Sequence, residues 1–149
     1  MTSRFDRLEV LLFVAAGGFA GAISRHALGA LSGSLPWGTL AANVAGAFVL
    51  GVVLSERHLA DRLSVETRLL VGTGFCSSLT TYSTFAVETT HLAGRSAGGP
   101  AIAAVADALG PIDGALAGPV VALSYVAVTY ALGFAAILSA QALTRGVIR

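Results

Sequence analysis

The chain has no lysine, a single cysteine, a single tryptophan and few charges of either sign, only 11% of its 149 residues. Soluble domains carry roughly 25% charged residues, so a soluble enzyme is excluded, and a disordered chain would be far more polar. One cysteine, Cys76, rules out an internal disulfide and a disulfide scaffold. The nine basic residues are all arginine and are offset by eight acidic ones, giving a net charge of +1. That balance offers no basic stripe, so nucleic acid is not a partner. What the chain has in quantity is apolar surface and glycine: 55% hydrophobic residues and 18 glycines, with a mean hydropathy of +0.80. These are the proportions of an integral membrane protein.

Charges cluster, and the gaps between them locate the spans. Uncharged stretches run from Val10 to Ser24, His26 to Ser55, Leu69 to Val87 and Gly114 to Thr144. A helix needs about 20 mainly apolar residues to cross roughly 30 Å of hydrocarbon. The turn-like run Ser32-Gly33-Ser34-Leu35-Pro36 splits the second stretch. Four transmembrane helices are therefore expected, over 10–31, 37–54, 67–92 and 119–143, forming one four-helix membrane domain over 1–149. The Gly-, Ala- and Pro-rich segment 94–116 reads as a connecting loop with a short helix around 102–109. The mixed charges Arg4, Asp6, Arg7 and Glu9 ahead of the first span argue against a cleaved signal peptide. Four helices enclose almost nothing, so a transport path requires an oligomer. Gly17 and Gly21, and Ala42 and Gly46, are four apart, a spacing that lets helix backbones approach closely either within the monomer or at a dimer seam.

The third span is chemically unusual. From Thr73 to Thr84 it reads TGFCSSLTTYST, eight hydroxyl side chains in twelve positions. Serine and threonine can bond back to the i−4 carbonyl and fall silent, but so many hydroxyls point to a segment that lines a polar path, a setting in which either a continuous or a broken helix is tolerated. A break frees carbonyls that suit a small hard cation and amides that suit an anion. The middles of the spans carry no carboxylate or histidine of the kind a proton-coupled pump uses. Glu88 is expected at the far end of the third helix and Arg25 near the end of the first. Asn43 is the only amide near the middle of the second helix, where it serves as interhelical glue or as an anion donor. Tyr82 and Phe85, three apart, face one side of the third helix and pack in a core or offer positive ring edges to an anion. Tyr125 and Thr129, four apart, make a short polar stripe on the fourth helix.

At these residues the chain resembles the Fluc (CrcB) family of fluoride-specific channels. GGFAGAISR at 17–25 resembles the family's glycine-rich first helix ending in arginine. GTLAANVAGAFVLG at 38–51 resembles the second-helix motif with its central asparagine, and GFCSSLTTYSTFAVE at 74–88 the broken-helix motif, usually GFCGGxTTFSTF followed shortly by Glu. The resemblance implies passive fluoride export that lowers cytoplasmic fluoride, by an antiparallel, dual-topology dimer in the cell membrane. It implies an ion pathway of Asn43, Tyr82, Ser83, Thr84, Phe85, Tyr125 and Thr129, with Glu88 near a pore entrance and Arg25, Gly17 and Gly21 in structural roles. It also implies a structural, non-transported sodium ion (Na+) on the backbone carbonyls of Ser77 and Thr80. Implied partners are fluoride, membrane lipid and a second copy or an oppositely oriented homologue.

The chain departs from the family pattern at Ser77 and Ser78, where glycine is usual, at Tyr82, where phenylalanine is usual, at His26, and in its longer 94–116 loop. Arginine is also unevenly placed. With four spans, seven arginines share the side of the termini and two lie opposite, which predicts cytoplasmic termini, whereas a dual-topology chain should be nearly balanced. Two other functions fit the size: a small four-helix drug or cation exporter, which would need an acidic residue deep in the first span, and a non-conducting assembly subunit of a heterodimeric channel. No enzyme site is visible, because no metal-ligand cluster, nucleophile with base or phosphate loop is present.

Overall fold

The computed structural model describes residues 4–32, 36–55, 63–94 and 114–147, which are helical with short turns. The helices are α1 (Arg4–Leu31), α2 (Trp37–Val53), α3 (Val65–Arg68), a π-helical segment (Leu69–Cys76), α4 (Ser77–Leu79), α5 (Tyr82–Ala93) and α6 (Gly114–Val147). From α3 to α4 the chain is one continuous rod, and Thr80 and Thr81 separate that rod from α5. Among the described residues there are thus four helical passes, the third interrupted. Arg7–Leu31 and Leu116–Gly146 are long and apolar enough to cross a membrane, and Trp37–Val53 is a shorter apolar helix.

The ends of the helices differ from the spans expected above. α1 begins at Arg4 instead of 10, because charged residues that leave the hydrocarbon still hold helical turns in the interface. α6 begins at Gly114 and takes in Pro119. A proline this near an N-terminus removes a donor whose partner lies only in the first turn. The short helix expected near 102–109 lies outside the described residues.

α1 packs along the π segment and α4, α2 packs along α6, and α5 also lies against α6. Small residues make the first contact possible. A Cβ at Gly17 would run into the Leu70 carbonyl, one at Gly21 into the Phe75 carbonyl, and one at Gly74 would come within 2.6 Å of the Val14 carbonyl. Gly17 and Gly21 therefore pack within the monomer, against the third pass. Ala42 and Gly46 do the same on α2: Ala42 is fully buried, and a Cβ at Gly46 would collide with the Thr80 methyl. In lipid, where burying apolar surface gains little, such close packing is what holds helices together. The buried core is correspondingly small, with Leu40, Phe85, Leu92, Ala117, Val121, Ala122 and Tyr125 in one cluster. Large apolar side chains such as Leu12, Phe19, Phe134 and Leu138 point outward, as they do when the solvent is hydrocarbon.

Candidate functional site

The site is built around the break at Thr80–Thr81. Thr80 (φ −76°, ψ 152°) and Thr81 (φ −149°, ψ 126°) are both extended, so the i→i−4 ladder cannot continue through them. The Thr81 N–H, which an unbroken helix would aim at the Ser77 carbonyl, is taken by Asn43 Oδ1 at 2.8 Å. Asn43 Nδ2 donates to the Thr81 carbonyl at 3.2 Å. One side chain from α2 thus replaces both backbone partners of a residue at the break. The start of α5 is capped by the Thr81 hydroxyl, which accepts from the Thr84 N–H at 3.3 Å and contacts the Thr84 and Ser83 hydroxyls at 3.1 and 3.3 Å. Such a side-chain cap satisfies a donor that would otherwise be orphaned at a helix N-terminus.

Beside the break is an open groove of about 280 Å³ lined by Asn43, Thr80, Thr81, Tyr82, Phe85, Thr129 and Tyr130. It draws together four of the expected pathway residues, Asn43, Tyr82, Phe85 and Thr129. Tyr82 and Phe85 do share a side of the helix, but their surroundings differ: Tyr82 is 75% exposed and Phe85 8%. Phe85 is the hub of an aromatic cluster, with ring centroids 6.1 Å from Tyr82, 5.3 Å from Tyr125 and 6.2 Å from Tyr130, the last edge-on at 89°. Ser83 and Thr84 are not in the groove lining but stand exposed at the α5 cap. Arg25 is likewise outside it, half-buried near the end of α1.

Glu88 falls in the last third of the third pass, five residues before its end at Ala93. It lies midway along α5, half-buried, and accepts from the Thr39 hydroxyl at 2.8 Å and the Tyr125 hydroxyl at 2.8 Å. A carboxylate held by two hydroxyls from α2 and α6 ties three helices together and offsets part of its own desolvation. Tyr125 thereby faces Glu88 rather than the groove, while the Thr129 hydroxyl donates to the Tyr125 carbonyl at 2.7 Å. Sequence reading missed Thr39, Thr81 and Tyr130. For Thr39 a signal existed: it is four residues before Asn43 and so on the same face of α2.

Ser77 has ordinary helical angles, φ −67° and ψ −29°, so the backbone at this position does not require glycine. Its hydroxyl bonds back to the Thr73 carbonyl and, at 3.2 Å, to the Gly74 carbonyl, while the Thr80 hydroxyl bonds back to the Cys76 carbonyl at 2.9 Å. Both side chains are therefore quiet, and what the break offers is main-chain oxygen. The Thr81 donor is diverted from the Ser77 carbonyl, and the Thr84 donor is diverted from the Thr80 carbonyl.

Known proteins can be set against this geometry. The chain matches the family model for CrcB-like protein, Camphor Resistance (CrcB), over residues 12–141. It is 44% identical to fluoride-specific ion channel FluC 1 of Natronomonas pharaonis across 138 residues, 92% of this chain and 95% of that one. It is 39% identical to fluoride-specific ion channel FluC 2 of Halobacterium salinarum across 94% of this chain and 89% of that protein. A bacterial relative, fluoride-specific ion channel FluC of Chromobacterium violaceum, is 44% identical over 64% of this chain and 79% of its own length. With its broken third pass and matched over nearly its whole length, this chain belongs to the CrcB family.

Proposed function

We propose that this protein is a fluoride-specific channel that lets the ion leave the cytoplasm down its electrochemical gradient. The observation that carries the reading is the groove at the break, where an amide, hydroxyls and aromatic edges converge without a lysine or arginine. Fluoride is small and strongly hydrated, so a path must replace its water with donors. A fixed cation would trap the ion, whereas neutral donors and ring edges solvate it weakly enough for release. Asn43, Tyr82, Phe85 and Thr129 form the wall of this path, with Ser83 and Thr84 at its exposed continuation and Tyr125 behind Phe85. Glu88 borders the path and holds Tyr125 and Thr39 in place.

The groove is open on one side, and Ser77, Tyr82, Ser83 and Thr84 are exposed near it. Exposed hydroxyls in a hydrocarbon layer favour a covering partner. The partner is a second subunit of opposite orientation in the cell membrane, and an antiparallel dimer closes the groove into a pathway. The arginine count supports a further reading in which the opposite subunit is a homologue with the reverse charge bias.

The carbonyls of Ser77 and Thr80 suit sodium, since each has lost its helical donor and neither side chain competes. Oxygen donors of this kind fit a small hard cation. Bound there, sodium would supply positive charge that holds two breaks together without itself moving.

The test is efflux from liposomes holding the purified protein, with voltage clamped by an ionophore and chloride as control. Rapid fluoride loss without chloride loss is expected. Fluoride retention by liposomes that contain the protein alone, and also by liposomes that contain it with an oppositely oriented homologue, would refute the channel reading.

A further inference from the structure

A second concavity lies at the other end of the third pass. It is an open groove of about 460 Å³ between the end of α2 and the start of the third pass, walled mainly by Leu50, Val53, Leu54, Val65 and Leu69 and reaching Gly72, with Arg68 and Thr73 as its polar members. Arg68 sits where the third pass enters from the interface, one turn after the Ser64 cap. Its Nε is enclosed and, among the described residues, has no hydrogen-bond partner. The nearest acid on its own helix, Glu66, is fully exposed to solvent, and the Ser64 hydroxyl chiefly lowers its carboxyl from the ordinary value.

A guanidinium at interface depth beside a largely apolar slot is a two-part recognition element. Arginine is suited to phosphate oxygens, which it can bind with two parallel hydrogen bonds. The slot below it is the wrong chemistry for a free anion and the right chemistry for an acyl chain. From Arg68 to Gly72 the groove follows about one turn of the third pass, from headgroup depth toward the hydrocarbon. Gly72 keeps it open: a Cβ there would meet only Val53 Cγ1 at 3.8 Å and Leu50 Cδ1 at 4.0 Å, both ordinary contacts. By the order of the passes, the same end of the bundle carries, among the described residues, Arg4, Arg7 and Arg145 besides Arg68, against Asp6, Glu9 and Glu66, a small positive balance that favours an anionic headgroup.

We infer that this groove is a binding site for an anionic phospholipid, its phosphate on Arg68 and one acyl chain along α2 and the π segment. The site is separate from the break and depends on the chain lying in a bilayer, not on which ion it passes.

Native mass spectrometry of the full-length protein tests this, with phosphatidylglycerol and phosphatidylcholine of identical chains and with inorganic phosphate as probes. The wild type should bind phosphatidylglycerol about fivefold more tightly than phosphatidylcholine, the effect of one arginine near the surface. Arg68→Gln should abolish that preference, while Arg145→Gln, the same charge loss outside the groove, should keep it. Gly72→Leu, which fills the slot, should weaken both lipids together. Equal binding of the two lipids by the wild type, or a preference that survives Arg68→Gln, would overturn the proposal. So would phosphate displacing phosphatidylglycerol at equal concentration, which would mark an anion site alone. Loss of the dimer in Gly72→Leu with lipid binding unchanged would give the groove to a second copy and overturn it as well.

Discussion

Asn43→Ala is the substitution whose consequences the geometry defines most tightly. It deletes two hydrogen bonds at once, from Nδ2 to the Thr81 carbonyl at 3.2 Å and from the Thr81 N–H to Oδ1 at 2.8 Å. The extended conformation of Thr80 and Thr81 is held by other contacts as well, the Thr81–Thr84 cap and the seat that Gly46 makes for the Thr80 methyl. The break therefore persists and the half-buried Thr81 N–H is left without its side-chain partner. An orphaned donor costs about 1–3 kcal/mol, and interhelical hydrogen bonds in bilayers contribute about 0.6 kcal/mol on average and at most about 1.7. A loss of about 1–3 kcal/mol follows, equivalent to a factor of about 5–150 at 1.4 kcal/mol per decade. Thermal unfolding in detergent should shift down accordingly, amide exchange at Thr81 should accelerate, and fluoride flux should fall at least about tenfold through the displaced donor. Flux and stability both at the wild-type level would refute the reasoning. A stability loss with full flux would leave Asn43 as a staple and remove it from the ion path.

Three other outcomes rest on equally local geometry. Glu88→Leu and Tyr125→Phe should be non-additive, with a coupling of about 0.5–3 kcal/mol in a double-mutant unfolding cycle, because they remove opposite ends of one 2.8 Å hydrogen bond; additive effects would mean the contact contributes nothing. Gly17→Leu should block folding, since even a Cβ collides with the Leu70 carbonyl. Gly133→Ala, with nothing within 4 Å of the added atom, should fold normally and gain up to about 1 kcal/mol of helix stability; a folded, assembled Gly17→Leu on size exclusion would contradict the packing. Phe85→Ala should lose about 3–5 kcal/mol by emptying the centre of the aromatic cluster, whereas Phe85→Leu should keep the fold and isolate the effect of the ring edge on flux; wild-type flux in Phe85→Leu would remove the ring from the pathway.

What could be read from the sequence follows the range over which each signal acts. Gaps between charges report the thickness of the bilayer, so the four passes were visible, but the ends of α1 and α6 were not, because helices run on past the hydrocarbon. The break announced itself through its hydroxyls: Thr81 must cap α5 and lacks a continuing ladder, and residues of that type cluster where the backbone leaves the helix. The π segment over Leu69–Cys76 had no signature, since LLVGTGFC is as good an i+4 sequence as an i+5 one. The surroundings of that segment account for it better than its own residues do. A Cβ at Gly74 would come within 3.0 Å of the Gly17 Cα and the Gly18 nitrogen, so this glycine permits a close approach to a helix nearly sixty residues earlier, and π turns accommodate such local misfits in register. The Asn43 staple and the Thr39–Glu88–Tyr125 tie likewise join residues 37 to 49 positions apart. Spacing rules see one helix face at a time. They identified Asn43 and Glu88 as unusual, but pairing them with Thr81 and Thr39 required knowing that α2 lies alongside the break.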